Sequence, residues 1–257
     1  MAQQKRKGKP QKSGGQGMFY LVLAVIAVVG VAAIVFSVRG GSGTAGAAAT
    51  EPVALDIADM RDLHDRATPK RLGDEDAPTR IVVFSDFMCP ACAAFGLQQR
   101  ARMMPWIESG DAQFIAYDFP LGGNFVHSFL AARAARCAGD QQSAGSPDGT
   151  GFWPYHDLLY QRQRFWSAER SALDTFIEYG RELRFDDRSF ERCVKSDRHA
   201  DVVTANRMMG DQLGVRGTPT VLVNNRRIGG QNINQMGEQV LEILRQAHGQ
   251  EAVTETP

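Results

Sequence analysis

Residues 81–92 read Ile81-Val82-Val83-Phe84-Ser85-Asp86-Phe87-Met88-Cys89-Pro90-Ala91-Cys92. The first four are β-branched or aromatic, the composition of a buried strand. The last four form a CxxC, and Ala93, Ala94, Phe95 and Leu97 continue beyond it as a helical stretch. Cysteines at i and i+3 on a first helical turn bring two sulfurs within bonding distance. The free backbone N–H groups and the dipole at that end stabilise a thiolate on the first cysteine. Such placement lowers a thiol pKa from about 8.5 into roughly the 3.5–7.5 range. Pro90 suits the first helical position, which has no N–H to lose and wants a φ that proline already holds. Cys89 is therefore expected to be the exposed attacking thiol, and Cys92 the partner that closes the ring. The alternatives are a zinc site and an inert structural disulfide. Zinc needs two further ligands at suitable spacing, but Cys137 and Cys193 stand alone and no histidine pair has ligand spacing. No metal is expected, and no cofactor beyond the Cys89–Cys92 pair itself.

Far downstream lies Gly217-Thr218-Pro219-Thr220, a proline at the start of a strand. Proline there cannot donate a ladder bond, so it marks an edge or a special backbone geometry. A cis Thr218–Pro219 bond would leave the preceding backbone open for an extended substrate segment beside the cysteines. The motif is weak alone and becomes specific beside an upstream strand–CxxC–helix.

Between and around these motifs the chain punctuates itself. Gln113 to Tyr117 reads as a second strand, and Thr220 to Val223 as a third, followed by an Asn224-Asn225 turn and Arg226 to Ile228. Ser128 to Gln142, Phe152 to Gln163, Ala172 to Leu183 and His199 to Leu213 read as helices. Ser143 to Gly151 is a loop by its Gly, Pro, Asp and Ser content. Gln235 to His248 closes as an amphipathic helix with Met236, Val240, Leu241, Ile243 and Leu244 inward. One or two helical turns are expected around Ile57 to Arg66. Strands thus sit near both ends, with a helical block between them.

The chain has 257 residues with 29 basic and 29 acidic ones, and 43% hydrophobic content. Those are globular values, and neutrality gives no electrostatic case for a nucleic-acid partner. The neutral average hides a split. Lys5, Arg6, Lys7, Lys9 and Lys12 precede residue 39 with no acidic residue among them, so the remainder carries 24 basic and 29 acidic residues, a balance of −5. Met18 to Val38 is an uncharged run of 21 residues, roughly 31 Å as a helix and enough to cross a hydrocarbon core of about 30 Å. With the basic cluster ahead of it, the N-terminus is placed in the cytoplasm and everything after Arg39 outside. A cleaved signal peptide is the alternative, since Ala45-Gly46-Ala47 has the small residues of a cleavage site, but the apolar run exceeds the usual length. Export follows either way. The expected layout is a basic cytoplasmic segment over 1–17, a transmembrane helix over 18–38, a flexible tether over 39–52, a domain over 53–249 with a helical insertion about 124–212, and a tail over 250–257.

These features together resemble the thioredoxin superfamily, and within it the DsbA-like thiol:disulfide oxidoreductases. Leu72-Gly73-Asp74-Glu75-Asp76-Ala77-Pro78 and residues 81–92 are similar to the approach strand and active site of that family. Ala134-Ala135-Arg136-Cys137-Ala138 and Phe152 to Leu159 resemble the helices inserted within its thioredoxin core, and Leu213 to Thr220 its cis-proline loop. The resemblance spans about residues 70–248. It implies an α/β thioredoxin fold with an inserted helical domain, a Cys89–Cys92 disulfide that exchanges with exported protein thiols, and Thr218 and Pro219 flanking the sulfurs. It also implies reoxidation by a membrane quinone-linked partner. Ala91 departs from the best-known members, which carry histidine between the active cysteines, so the dipeptide Pro90-Ala91 leaves the strength of the oxidant open. Some members carry a second disulfide where Cys137 and Cys193 stand, and leftover cysteines in an oxidising compartment usually pair. Free thiols or a second redox role are the alternatives. A bond would close a loop of about 57 residues, worth roughly 4 kcal/mol.

Other residues are read more plainly. Asp86 either relays a proton to Cys92 or closes a strand-end turn, the commoner role. His127 and His156 have no sequence link to the cysteines. Asp74-Glu75-Asp76 lacks the glycine and distal glutamate of a calcium loop, Gly214-Val215-Arg216-Gly217 leads into a strand and is no phosphate cradle, and the three tryptophans suit core or groove packing. The leading function is an anchored extracytoplasmic oxidase. A reductase or isomerase using the same site is the alternative, although known isomerases add a dimerisation domain. A thioredoxin-like metal carrier is a third possibility, and it would want Met or His ligands near the CxxC, where Met88, Met103 and Met104 stand.

Overall fold

The computed structural model describes residues 49–249. The spans 1–17, 18–38 and 250–257, and most of the tether, lie outside the described residues. Among the described residues no helix is long and apolar enough to cross a membrane.

Five strands form one sheet in the order β1-β3-β2-β4-β5. They are β1 (Lys70–Leu72), β2 (Thr79–Ser85), β3 (Ala112–Asp118), β4 (Thr220–Val223) and β5 (Arg226–Arg227). β2 and β3 run parallel, and the pairs β1–β3, β2–β4 and β4–β5 are antiparallel. β2 is central because its residues suit burial on both faces. Ile81 and Val83 join the large core with Phe95 and Phe114, while Phe84, with Val82 against it, packs in a smaller cluster with Phe119 and Val215 on the other side. That is the period-2 alternation of a strand covered twice.

A continuous helical run follows the CxxC: α2 (Pro90–Ala94), a π segment (Phe95–Gln99) and α3 (Arg100–Glu108). Between β3 and β4 come α4 (Ser128–Gly139), α5 (Phe152–Gln161), α6 (Gln163–Trp166), α7 (Leu173–Glu182), α8 (Asp187–Val194) and α9 (Ala200–Gln212), with α1 (Met60–Arg66) before the sheet and α10 (Ile233–His248) after it. α4 is buried nearly throughout, which its alanines permit. Its Arg136 is buried too, but every arm finds a partner: Asp118 on β3 at 2.7 Å, the Thr68 carbonyl at 2.6 Å and Asn206 on α9 at 3.2 Å. A buried charge so satisfied fixes the register of helix on sheet. Trp106, Trp153 and Trp166 are core residues.

Several expected elements need correction. The single helix over Phe152 to Gln163 breaks at Arg162, whose backbone leaves helical geometry at φ −104°, ψ 10°. The first α4-type helix stops at Gly139 and not Gln142. α8 was not anticipated, because half of its sequence DRSFERCV is charged and only Phe190, Cys193 and Val194 face inward. β1 was not anticipated as a strand either, being three residues that owe their state to pairing with β3. α10 starts at Ile233, two residues early, because the Asn232 side chain accepts from the Gln235 N–H at 3.0 Å.

Candidate active site

The CxxC sits at the carboxyl end of β2, where a short turn aims the start of α2 away from the sheet. Asp86 builds that turn. Its carboxylate accepts from the Met88 N–H at 2.7 Å, the Leu121 N–H at 2.8 Å and the Ser128 hydroxyl at 2.6 Å. Burial nevertheless pushes its pKa up, with those three donors pulling the other way. Asp86 is thus the anchor of the turn, joining β2, the loop after β3 and α4. Its backbone carbonyl also accepts from the Cys89 N–H at 3.1 Å.

Cys89 occupies the N-cap in extended geometry with Pro90 following, and its carbonyl accepts from the Cys92 and Ala93 N–H groups at 3.1 Å. Gln163 of α6 donates to that same carbonyl at 3.0 Å and to the Phe87 carbonyl at 2.6 Å. The helical block therefore holds the active turn directly, through a residue that sequence reasoning passed over. A glutamine some seventy positions downstream carries no signal for it.

Thr218 and Pro219 reach the cysteines through register. β2 and β4 are antiparallel with Phe84 opposite Thr220, so the residues before Thr220 meet the chain just past Ser85. The Thr218–Pro219 bond is cis. The Thr218 carbonyl accepts from Cys89 Sγ at 3.3 Å, and its buried hydroxyl has no partner among the described residues.

Both cysteines are thiols here and both are buried, Cys89 to 7% exposure and Cys92 to 1%. The expected exposure of Cys89 is thus corrected: what separates the two sulfurs is hydrogen bonding to one and the deeper burial of the other. The Cys89 pKa falls from 9.0 to about 6, chiefly because the Cys92 side chain hydrogen-bonds to it, with Thr218 and the Cys92 and Ala91 backbone assisting against burial. Cys92 moves the opposite way, well above 9.0, because burial penalises its thiolate and the Cys89 sulfur adds to the penalty. One sulfur is poised as nucleophile and leaving group, the other as a neutral donor. Such a pair supports thiol–disulfide exchange at Cys89, with Cys92 resolving from within.

Cys137 on α4 and Cys193 on α8 are joined, with Sγ atoms 1.99 Å apart. This is one of the three states that the sequence left open, and it lies within the helical block. His199 has ligand atoms close to these two sulfurs, but the cysteines are bonded to each other and His199 Nε2 pairs with Asp140 at 2.8 Å. His127 is buried, with its ring against the Glu169 carbonyl at 2.9 Å. Met103 is fully buried, and Met88 Sδ accepts from the His127 N–H at 3.2 Å, so both have packing roles. The Asp74 carboxylate accepts from the Asp76 N–H at 2.9 Å, an ordinary turn.

A protein-family model described as thioredoxin matches residues 65–242. The probable disulfide bond formation protein D of Bacillus cereus is 29% identical over 161 residues, which span 62% of this chain and 71% of that protein. The crystal structure of oxidised BdbD from Bacillus subtilis superposes with a TM-score of 0.58 at 21% identity, covering 77% of this chain and 98% of that one. The DsbA of Chlamydia trachomatis gives a TM-score of 0.54 at 20% identity, over 68% and 89% of the two chains.

Proposed function

This chain belongs to the thioredoxin family as a DsbA-like thiol:disulfide oxidoreductase, and from that premise we propose that it is a membrane-anchored extracytoplasmic oxidase that introduces disulfides into exported proteins through Cys89–Cys92. The observation that carries this reading is the opposed chemistry of the two sulfurs, Cys89 at about 6 beside a Cys92 held as thiol. A substrate thiolate attacks Cys89 Sγ of the disulfide, the Sγ–Sγ bond breaks, and its electron pair leaves on Cys92. A second substrate thiolate then attacks the substrate sulfur of the mixed disulfide. Cys89 departs as a thiolate, for which a low pKa makes it a good leaving group. The substrate loses two electrons and the protein gains them. Reoxidation falls to a membrane quinone-linked partner. No cofactor is required beyond the cysteine pair.

The anchor is residues 18–38, supported by their lack of charge and by the five basic residues ahead of them. In the layout we propose, 1–17 is cytoplasmic, 39–52 is the tether, and 53–249 is the catalytic domain with its insertion about 124–212. The partners are exported protein thiols and not nucleic acid.

The test uses the detergent-solubilised, oxidised full chain and a reduced, unfolded protein with several cysteines. Rapid loss of substrate thiols, abolished by Cys89→Ala, is expected. Wild-type chain that leaves those thiols untouched while reducing insulin disulfides with a supplied reductant would replace the oxidase with a reductase.

A further inference from the structure

Behind Cys92 lies a small space of about 10 Å³, near the lower limit for one water molecule. Cys92, Ser85, His156, Tyr160 and Pro219 contribute to its wall, and Cys89 does not. Tyr160 is buried, and its hydroxyl makes no well-formed hydrogen bond among the described residues, the Ser85 side chain on β2 being the one group that draws its pKa down against burial. Buried tyrosine hydroxyls are nearly always paired, so this one asks for an explanation.

The surroundings are built to keep that hydroxyl in place. Phe87, His156 and Tyr160 pack ring on ring, with centroids 4.9 Å apart for Phe87–Tyr160 and 4.8 Å for His156–Tyr160. The helix carrying Cys92 passes close beneath them, where glycine at residue 96 leaves room. A Cβ there would lie 3.1 Å from the Tyr160 ring and 3.4 Å from that of His156. The same helix widens into its π segment at Phe95–Gln99, a distortion frequent at functional sites.

Opening the Cys89–Cys92 disulfide creates a need at this spot. Attack on Cys89 Sγ leaves an electron pair on Cys92 Sγ, in surroundings that disfavour a thiolate. The polar and charged groups in and around this pocket are few, the Ser85 side chain among them. The Asp86 carboxylate already accepts three hydrogen bonds. Arg100 Nη2 is taken by both carboxylate oxygens of Asp157, at 2.7 and 2.6 Å. Burial pushes the His156 pKa down, and the Asp157 carboxylate takes its Nδ1 at 2.7 Å. Thr218 reaches both sulfurs from the cis-proline side. Tyr160 stays protonated, because burial drives its pKa well above 10.0.

We propose that the Tyr160 hydroxyl is the hydrogen-bond donor that, across one water in this cavity, receives the charge on Cys92 Sγ when the disulfide opens. Tyr160 keeps its own proton, and the proton that converts Cys92 to a thiol comes from bulk water. The role rests on the exchange function proposed above, and it makes Tyr160 a positioning residue for the second sulfur.

Tyr160→Phe in the full chain removes the donor and keeps the ring. Two quantities are read: the rate at which glutathione reduces the oxidised protein, and the pH profile of Cys92 alkylation in the Cys89→Ala background. Loss of one hydrogen bond to a charged group predicts reduction about tenfold slower and an alkylation midpoint about one pH unit higher. The midpoint for Cys89, read by thiolate absorbance, should stay put, a split that simple loosening of the core would not produce. Gly96→Ala, which crowds the Tyr160 ring but leaves its hydroxyl, is a second variant and should slow reduction by a smaller factor. Wild-type rates and an unmoved Cys92 profile in both variants overturn the role of Tyr160 alone. A wild-type disulfide that no thiol opens overturns the exchange function, and this role with it.

Discussion

At the scale of single residues, Cys89 ties reactivity to stability. In the unfolded chain it keeps its ordinary pKa of 9.0, whereas in the fold it titrates at about 6. The reduced fold therefore gains stability as pH rises from about 6 to 9.0, and that gain disappears as pH falls through about 6. Cys92 works in the opposite sense: its raised pKa contributes below 9.0 and is lost above it. The oxidised form has neither thiol. Urea unfolding of both redox forms should thus show the reduced form rising relative to the oxidised one from pH 6 to 9, and a flat difference across that range would contradict the thiolate assignment. Cys89, Cys92, Thr218 and Pro219 were legible in the sequence because a CxxC after a strand and a proline opening a strand are local patterns with local causes. Gln163, Gly96 and Tyr160 were not. Gln163 and Tyr160 matter through the docking of α5 and α6 onto the active turn, and Gly96 through the rings that α5 lays against it, which no short pattern encodes.

Among the elements, β2, β3, β4 and α10 followed from composition and periodicity, since each buries a face that its residues announce. β1 and α8 escaped for opposite reasons. β1 is too short to carry a pattern and exists because β3 offers it an edge. α8 is rich in charge, and its inner face shows only when Phe190, Cys193 and Val194 are seen to meet the helical block. Its start depends on Asp186, whose side chain accepts from the Ser189 N–H at 2.7 Å. Asp186→Ala should lower unfolding free energy by about 1 kcal/mol, the usual worth of an N-cap, as measured by urea denaturation of the oxidised protein. An unchanged midpoint would mean that α8 is held by its apolar face alone.

The whole molecule divides its cysteines between two tasks. Cys89 and Cys92 sit where sheet, turn and helical block meet, while Cys137–Cys193 ties α4 to α8 inside the block. The second bond closes a long loop, so replacing both of its cysteines by alanine should cost about 2–4 kcal/mol of stability. Exchange at Cys89 should continue at the wild-type rate under native conditions, followed by single-turnover oxidation of a thiol substrate; loss of exchange in a still-folded variant would give the second pair a redox part. The zero net charge belongs to the same division, with five basic residues before an uncharged run and an acidic excess of five after it. The central claim is that this fold works as an oxidant, by holding Cys89 as a thiolate when reduced. Its most direct test is the reduction potential of Cys89–Cys92, titrated against glutathione in the full chain. A value toward about −120 mV is predicted, and one near about −270 mV, in the range of a reducing thioredoxin, would contradict it.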